Sequence, residues 1–283
     1  MTTLPHVPTE NIDQGPADIP MVLSSPTVPL VQAHLAEMKA MYDLQTTSSP
    51  LEMYAHLLAM EADYCDNIHM ENYAHTVHKL HPVQYAQSNA RHLPARRSLK
   101  AILTVCPYSG CPVSVEDSYQ LHIQGKTVVC QVCTNPITMD MYKMNALLDA
   151  AKTMMPELAV PTLPHDGQFE SFLDELHSCM GDVAPAVQDK VNELVAREIG
   201  AFEFDLVQAM LRQLDFVHKM CRHYDYWYTP SVVQAAIARY HQFMHLIRIS
   251  RDTLTMLVPT PDIDLVWHTH QCHPRGYFEF CRS

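Results

Sequence analysis

The chain has 283 residues, of which 47% are hydrophobic and 18% charged, and a formal net charge of −12. That balance excludes a chain disordered by composition, and the acidic surface excludes sequence-independent binding to phosphate backbones as its main mode of action. Seven glycines against seventeen methionines favour helices over a turn-rich β architecture.

Residues 1–28 carry five prolines and no sustained periodicity, which predicts a disordered or extended tail. An N-terminal helical region is expected over 29–98. It begins with Leu30, Val31, His34, Leu35, Met38, Met41 and Tyr42 recurring at three and four, the stripe of an amphipathic helix. Ser49, Pro50 and Glu52 then form a capping box around a first-turn proline, the start of a second helix. Arg91, Arg96, Arg97 and Lys100 cluster without interleaved aromatics, the pattern of a solvated linker more than of a nucleic-acid surface.

Over residues 99–137 the helical period stops, and "KAILTVC", "YQLHI" and "KTVVC" read as short strands with "QGK" as a turn. In this insert Cys106 and Cys111 enclose four residues and Cys130 and Cys133 enclose two, with eighteen residues between the pairs. Tetrahedral zinc takes two such knuckles, and a hairpin between them would build a zinc ribbon. With four protein ligands the ion would be structural, because no position is left for water. His122 is expected on the solvent face of a strand and not as a fifth ligand. Nine cysteines, an odd number, fit thiolates in a reducing compartment better than a disulfide framework.

A C-terminal helical domain is expected over 138–283. Thr138 is a candidate cap for "MDMYKMNALLDAAKTM", and Thr229 followed by Pro230 is a cap and first turn for "SVVQAAIARYHQFMHLIRIS". Thr260, Pro261 and Asp262 open a last helix through "TPDIDLVWHTHQCHP". On that helix Asp264, His268 and Cys272 share a face, while His270 points elsewhere with Trp267 near it, because H-x-H converges on a strand and diverges on a helix. Two readings stay open. In one, Asp264 and His268 form a polar seam; in the other, Asp264, His268 and Cys272, or His270 and His273, hold a metal with help from His241 or His245. "HKLHPVQY" at 78–85 and "HQCHPRGY" at 270–277 share H-x-x-H-P-x-x-Y, and two readings stay open: an internal duplication whose first copy is degraded, or coincidence in a chain rich in His and Pro.

At Arg239, Tyr240, Phe243, Pro259, Asp262, Asp264, Trp267, His268, His270, Pro274 and Tyr277 the sequence resembles the glycine-rich domain-containing protein-like family. The cysteine insert resembles the zinc-ribbon-like segment of its fungal members, and "PLVQAHLAEMKAMYDL" resembles their first helix. The resemblance implies a helical domain with a repeated W-H-x-H element and no established enzymatic activity. Cys272 and His273 stand where the family usually has an apolar and a small polar residue.

The expectation is therefore a mainly α protein with a small inserted β zinc ribbon, serving as a non-catalytic binding or scaffold module with one structural zinc and protein partners. The alternatives are a metal-dependent enzyme, for instance a hydrolase, on Asp264, His268 and His270, or an RNA- or DNA-binding protein using the ribbon and basic linker. No basic-then-apolar leader opens the sequence and no apolar run approaches the ~18 residues of a membrane span, so a location in the cytoplasm or nucleus is expected.

Overall fold

In a computed structural model of the chain, residues 25–66, 97–157, 159–164, 167–181, 185–196, 199–202, 204–250 and 256–282 are described. The expected tail up to residue 24, the first H-x-x-H-P-x-x-Y copy, Arg91 and Arg96 lie outside them. The architecture is mainly helical, with one two-stranded sheet among the described residues. Two compact units divide the chain, one from residues 1–47 and 213–283 with 68–85, the other from 48–67 and 86–212. The first helix groups with the end of the chain.

In the first unit, helix α1 (Val28–Thr47) buries Val31, Leu35 and Met38, three turns of one stripe. They pack into a core with Met220, Trp227, Val233, Ala236, Tyr240, Ile263, Leu265 and Val266. Burying side chains of this size contributes about 1.5–3 kcal/mol each, so the cluster outweighs any single polar contact in the unit.

The second unit opens with α2 (Pro50–Asp66). Its capping box is reciprocal: the Ser49 N–H donates to Glu52 Oε2 at 2.7 Å, and the Glu52 N–H donates to Ser49 Oγ at 3.3 Å. Next come α3 (Leu99–Leu103) and α4 (Val115–His122), both of which replace expected strands. The physical reason is capping. Ser98 Oγ accepts from the Ala101 N–H, and Ser114 Oγ accepts from the Asp117 N–H at 3.0 Å while donating to the Asp117 carboxylate at 2.7 Å. Ser118, Leu121 and His122 then fall on one buried helical face, a period that the apparent alternation in "YQLHI" concealed. "QGK" is a helix terminus, with Gly125 at φ 64° and the Lys126 N–H donating to the Gln120 carbonyl at 3.0 Å.

The strands are β1 (Val128–Val129) and β2 (Pro136–Ile137), antiparallel with Val128 opposite Ile137. Helices α5 (Met139–Met154), α6 (Phe169–Met180) and α7 (Pro185–Ala196) follow. A core of Met144, Leu147, Leu148, Ala151, Phe172, Leu176, Met180 and Val191 joins them.

The remaining helices are α8 (Leu206–Cys221), α9 (Tyr224–Tyr228), α10 (Pro230–Ile249), α11 (Pro261–Gln271) and α12 (Pro274–Arg282). In the first unit α10 packs against α1 and α11, and Ala235 and Ala236 on α10 are fully buried. Thr138, Thr229 and Thr260 stand at the expected N-cap positions, but none of their side chains makes the capping bond. Thr229 instead donates back to the Asp225 carbonyl at 3.0 Å. Proline at the first position of α10 and α11 removes one donor that would need a cap. No described helix is long and apolar enough to cross a membrane.

Candidate metal centre

The four cysteines of the second unit sit on two turns built to one plan. In the first, the Cys106 N–H donates to the Cys111 carbonyl at 2.8 Å and the Gly110 N–H donates to the Cys106 carbonyl at 2.9 Å. In the second, the Cys130 N–H donates to the Asn135 carbonyl at 2.9 Å and the Thr134 N–H donates to the Cys130 carbonyl at 3.0 Å. Counting from the leading cysteine, both turns bond i to i+5 and i+4 to i. Both place residue i+4 at positive φ, Gly110 at 68° and Thr134 at 59°. The C-x4-C spacing is therefore the same turn as C-x2-C, with its second cysteine moved from i+3 to i+5. Ser109 takes the place that Cys133 holds in the other turn, and its hydroxyl lies 2.9 Å from Cys111 Sγ. An isolated antiparallel bridge between Val105 and Pro112 closes the first turn, and β1–β2 closes the second.

These turns bring sulfurs together across 27 residues. Cys106 Sγ is 3.6 Å from Cys133 Sγ, and Cys111 Sγ is 3.1 Å from Cys130 Sγ. Cys106, Cys130 and Cys133 have sulfurs all within 4.8 Å of one another, and Cys111 adjoins that group through Cys130. A disulfide would need about 2.05 Å. Sulfurs bound 2.3 Å from a tetrahedral ion stand about 3.8 Å apart, so the 3.6 Å pair suits a shared cation and the 3.1 Å pair would open slightly around one.

Backbone dipoles prepare the thiols. The Val132 and Cys133 N–H groups each point to Cys130 Sγ at 3.5 Å. The N–H of Cys133, then the bond with Cys111, hold the Cys130 thiol down to about 6, so it is largely thiolate at neutral pH. Burial pushes the Cys106 thiol the other way, partly offset by Ser109. Gathering several thiolates in so small a volume is repulsive unless a cation neutralises them. This group can hold a metal ion, and among the described residues it is the one set with three donor atoms that close. Tyr108 anchors the first turn by donating to the Pro164 carbonyl at 2.9 Å.

His122 is not on a solvent-facing strand. It is buried on α4, where Nδ1 lies 3.2 Å from the Tyr54 hydroxyl and Nε2 lies 2.5 Å from Asp205 Oδ2. Asp205 also accepts the Gln208 N–H at 2.9 Å, capping α8. Glu61, fully buried on α2, accepts the Leu99 N–H at 2.9 Å and so caps α3. Sequence reasoning missed Tyr54, Glu61 and Asp205, whose partners lie 38 to 83 positions away. No local pattern marks such pairs, whereas the Ser114-x-x-Asp117 box was there to be read.

In the first unit, the W-H-x-H segment lies on α11 and its histidines diverge. His270 is buried, with Nδ1 2.8 Å from the Tyr240 hydroxyl and its ring edge-on to Tyr277 and Phe280. Two residues earlier His268 is half-buried against Phe216, and its Nε2 stands 3.4 Å from Asp264 Oδ1. Trp267 donates to the Tyr277 hydroxyl at 3.1 Å, and buried Asp262 pairs with Arg239 at 3.2 Å. Asp264 and His268 are thus brought together and His270 is turned to another partner. Burial pushes the Cys272 thiol up to about 11, which leaves it a poor nucleophile. Burial also lowers the pKa of His241, whose ring lies against Tyr240 and Phe280.

Arg239, Tyr240, Asp262, Trp267 and His270 all lie within the part of the chain that matches a known family. The family model described as Glycine-rich domain-containing protein-like matches residues 171–279 of this chain. Glycine-rich domain-containing protein 1 of Arabidopsis thaliana is 40% identical over 77 residues, and Glycine-rich domain-containing protein 2 of the same plant is 44% identical over 77 residues. Each match covers 26% of this chain and 9% of the relative. No solved structure matches the chain significantly.

Proposed function

We propose that this chain is a non-catalytic binding or scaffold protein of the glycine-rich domain-containing protein-like family, acting inside the cell on protein partners. One structural zinc ion, held by Cys106, Cys111, Cys130 and Cys133, stabilises its second unit. The observation that carries the zinc reading is the pair of matching turns. A small hairpin of two-residue strands has little core of its own, and two matching backbone turns that gather three sulfurs within 4.8 Å, with Cys111 Sγ 3.1 Å from Cys130 Sγ, have a physical reason if an ion sits there. The ion would supply cross-linking and charge neutralisation. The chain supplies orientation, through the N–H groups aimed at Cys130 and the tyrosine anchor at Pro164.

The binding role is supported by how the family segment uses its polar residues. Trp267 is engaged with Tyr277, His270 with Tyr240 and Asp262 with Arg239, which suits a rigid platform better than a catalytic centre. Nucleic-acid binding is less favoured, since Arg97 spends its guanidinium on the Ala101 carbonyl and the overall charge is acidic.

Elemental mass spectrometry on untagged protein, prepared without chelator, tests the zinc. The expected result is a zinc ion that disappears in Cys106→Ser and in Cys130→Ser. Full zinc content in both variants would remove the cysteines from the metal's coordination.

A further inference from the structure

The β1–β2 hairpin of the second unit keeps one edge unpaired. Its phase follows from one bond: the Cys130 N–H donates to the Asn135 carbonyl at 2.9 Å, which makes these two a hydrogen-bonded pair of the antiparallel ladder. Val129 opposite Pro136 is then the non-bonded pair next to it, and Pro136 has no N–H to offer. The Val129 N–H and carbonyl therefore point away from β2. Among the described residues no backbone carbonyl takes that N–H, and the Val129 carbonyl receives the Gln131 side-chain amide at 3.3 Å. One residue of an added antiparallel strand can exchange both bonds with Val129 and displace that amide.

A groove of about 300 Å³ runs beside the strand, between β1 and the chain that enters α4. Its apolar walls are Pro112, Val113, Val128, Val129 and Ile137. Val129 is 53% exposed and Val132, in the cysteine turn that follows, is 69% exposed, so apolar surface continues beyond the groove. Proteins normally cover such an edge or blunt it with a charge on the strand, and Val129 has neither. Charge then selects the occupant. Asp117 lines the groove and Glu116 is exposed beside it, both in the first turn of α4. Ser114 already caps that helix, so its end offers carboxylates to an incoming chain. Lys126, just before β1, is a single cation against these two acids. A second copy of this chain, at a net charge of −12, would bring its own acids to the same edge and is disfavoured.

We propose that the outer edge of β1 and this groove dock an extended segment of a partner protein in which aliphatic residues alternate with lysine or arginine. One residue of the segment pairs with Val129. Its neighbours along the strand turn their side chains to the face shared by Val128 and Ile137, where an aliphatic group fills the groove. Basic residues face Asp117 and Glu116. The inference rests on the binding role proposed above and deepens it, by naming the surface and the chemistry of the partner.

The test is fluorescence anisotropy of a labelled synthetic peptide of alternating valine and lysine, titrated with the full chain at physiological salt. Saturable binding is expected. Val129→Pro deletes the outward N–H and no bond to β2, and should weaken binding by about 10-fold. A peptide N-methylated at its central valine should lose a similar factor on the unaltered protein, which keeps the test independent of how the variant folds. Asp117→Asn with Glu116→Gln should weaken binding several-fold and reduce its salt dependence. Absence of saturable binding overturns the proposal. Equal binding by Val129→Pro and by the N-methylated peptide also overturns it, while leaving a binding protein that uses another surface. A concentration-dependent dimer in sedimentation, lost in Val129→Pro, would assign the edge to a second copy and overturn it too. Zinc content of the same samples reports on the cysteine turns alone.

Discussion

The cysteine turns and helix α11 each gather four or more chemistry-bearing side chains within a short stretch of sequence, and they use them in opposite ways. The turns bring their cysteine sulfurs together, because backbone hydrogen bonds and a positive-φ residue curl the chain around each leading cysteine. The helix disperses its side chains by about 100° per residue, so His268 and His270 take different partners. Dense spacing in sequence makes a site only where the local backbone converges. On a helix, convergence needs an interval of about four residues, as for Asp264 and His268.

The largest effect expected from this contrast is at the cysteines. Cys106→Ser with Cys130→Ser should remove the zinc and unfold the segment around residues 104–137, since apparent zinc-binding energies of about 10 kcal/mol or more are folding energy in modules this small. Loss of hydrogen-exchange protection at Cys106, Gly110, Cys130 and Thr134 reads that outcome. Retained protection would mean the turns stand without an ion.

His270→Ala should cost about 2–4 kcal/mol in chemical denaturation, through loss of a buried ring and an unpartnered Tyr240 hydroxyl. His268→Ala, at a half-exposed position, should cost under about 1 kcal/mol. Equal costs would erase the distinction between the two histidines.

Most helices were legible because their signals are local: the stripe of α1, the Ser49–Glu52 box, and the prolines that open α10 and α11. The fold of residues 99–123 was misread because two serine caps outweigh a short alternating pattern, and each cap was visible. The cysteine pairs could be read from their spacing, but the equivalence of the C-x4-C and C-x2-C turns could not, since it resides in φ values and carbonyl acceptors. The polar links of Tyr54, Glu61 and Asp205, and the contact of His34 with Thr269, depend on which helices meet, and no sequence period encodes that.

Glu61→Ala should destabilise the second unit by about 1–3 kcal/mol, because the first-turn N–H groups of α3 lose a buried acceptor. Asp205 adds a pH dependence. Burial works to raise its pKa, but the bond and charge of His122 and the N–H groups of Gln208 and Val207 outweigh it and hold the carboxyl below 3.8. A depressed carboxyl contributes stability that is complete above its unfolded value and lost as pH falls through the lower folded value. Asp205→Asn should therefore flatten the stability profile below about pH 4 and leave its shape near neutrality unchanged. An unaltered acid limb would show that other carboxyls govern it.

The smallest expected effect has the opposite sign. Thr134 is β-branched at φ 59°, where Gly110 occupies the matching place in the other turn. Thr134→Gly should stabilise the protein by up to about 1 kcal/mol, seen as a rise in melting temperature. A fall would mean that the Thr134 side chain contributes more than its backbone strain costs.

The most direct measurement of the central claim is X-ray absorption at the zinc edge on the intact, untagged protein. The account predicts a first shell of sulfur at about 2.3 Å that accounts for four ligands in the tightly held zinc. A first shell of nitrogen and oxygen at about 2.0 Å, with no sulfur component, would contradict it.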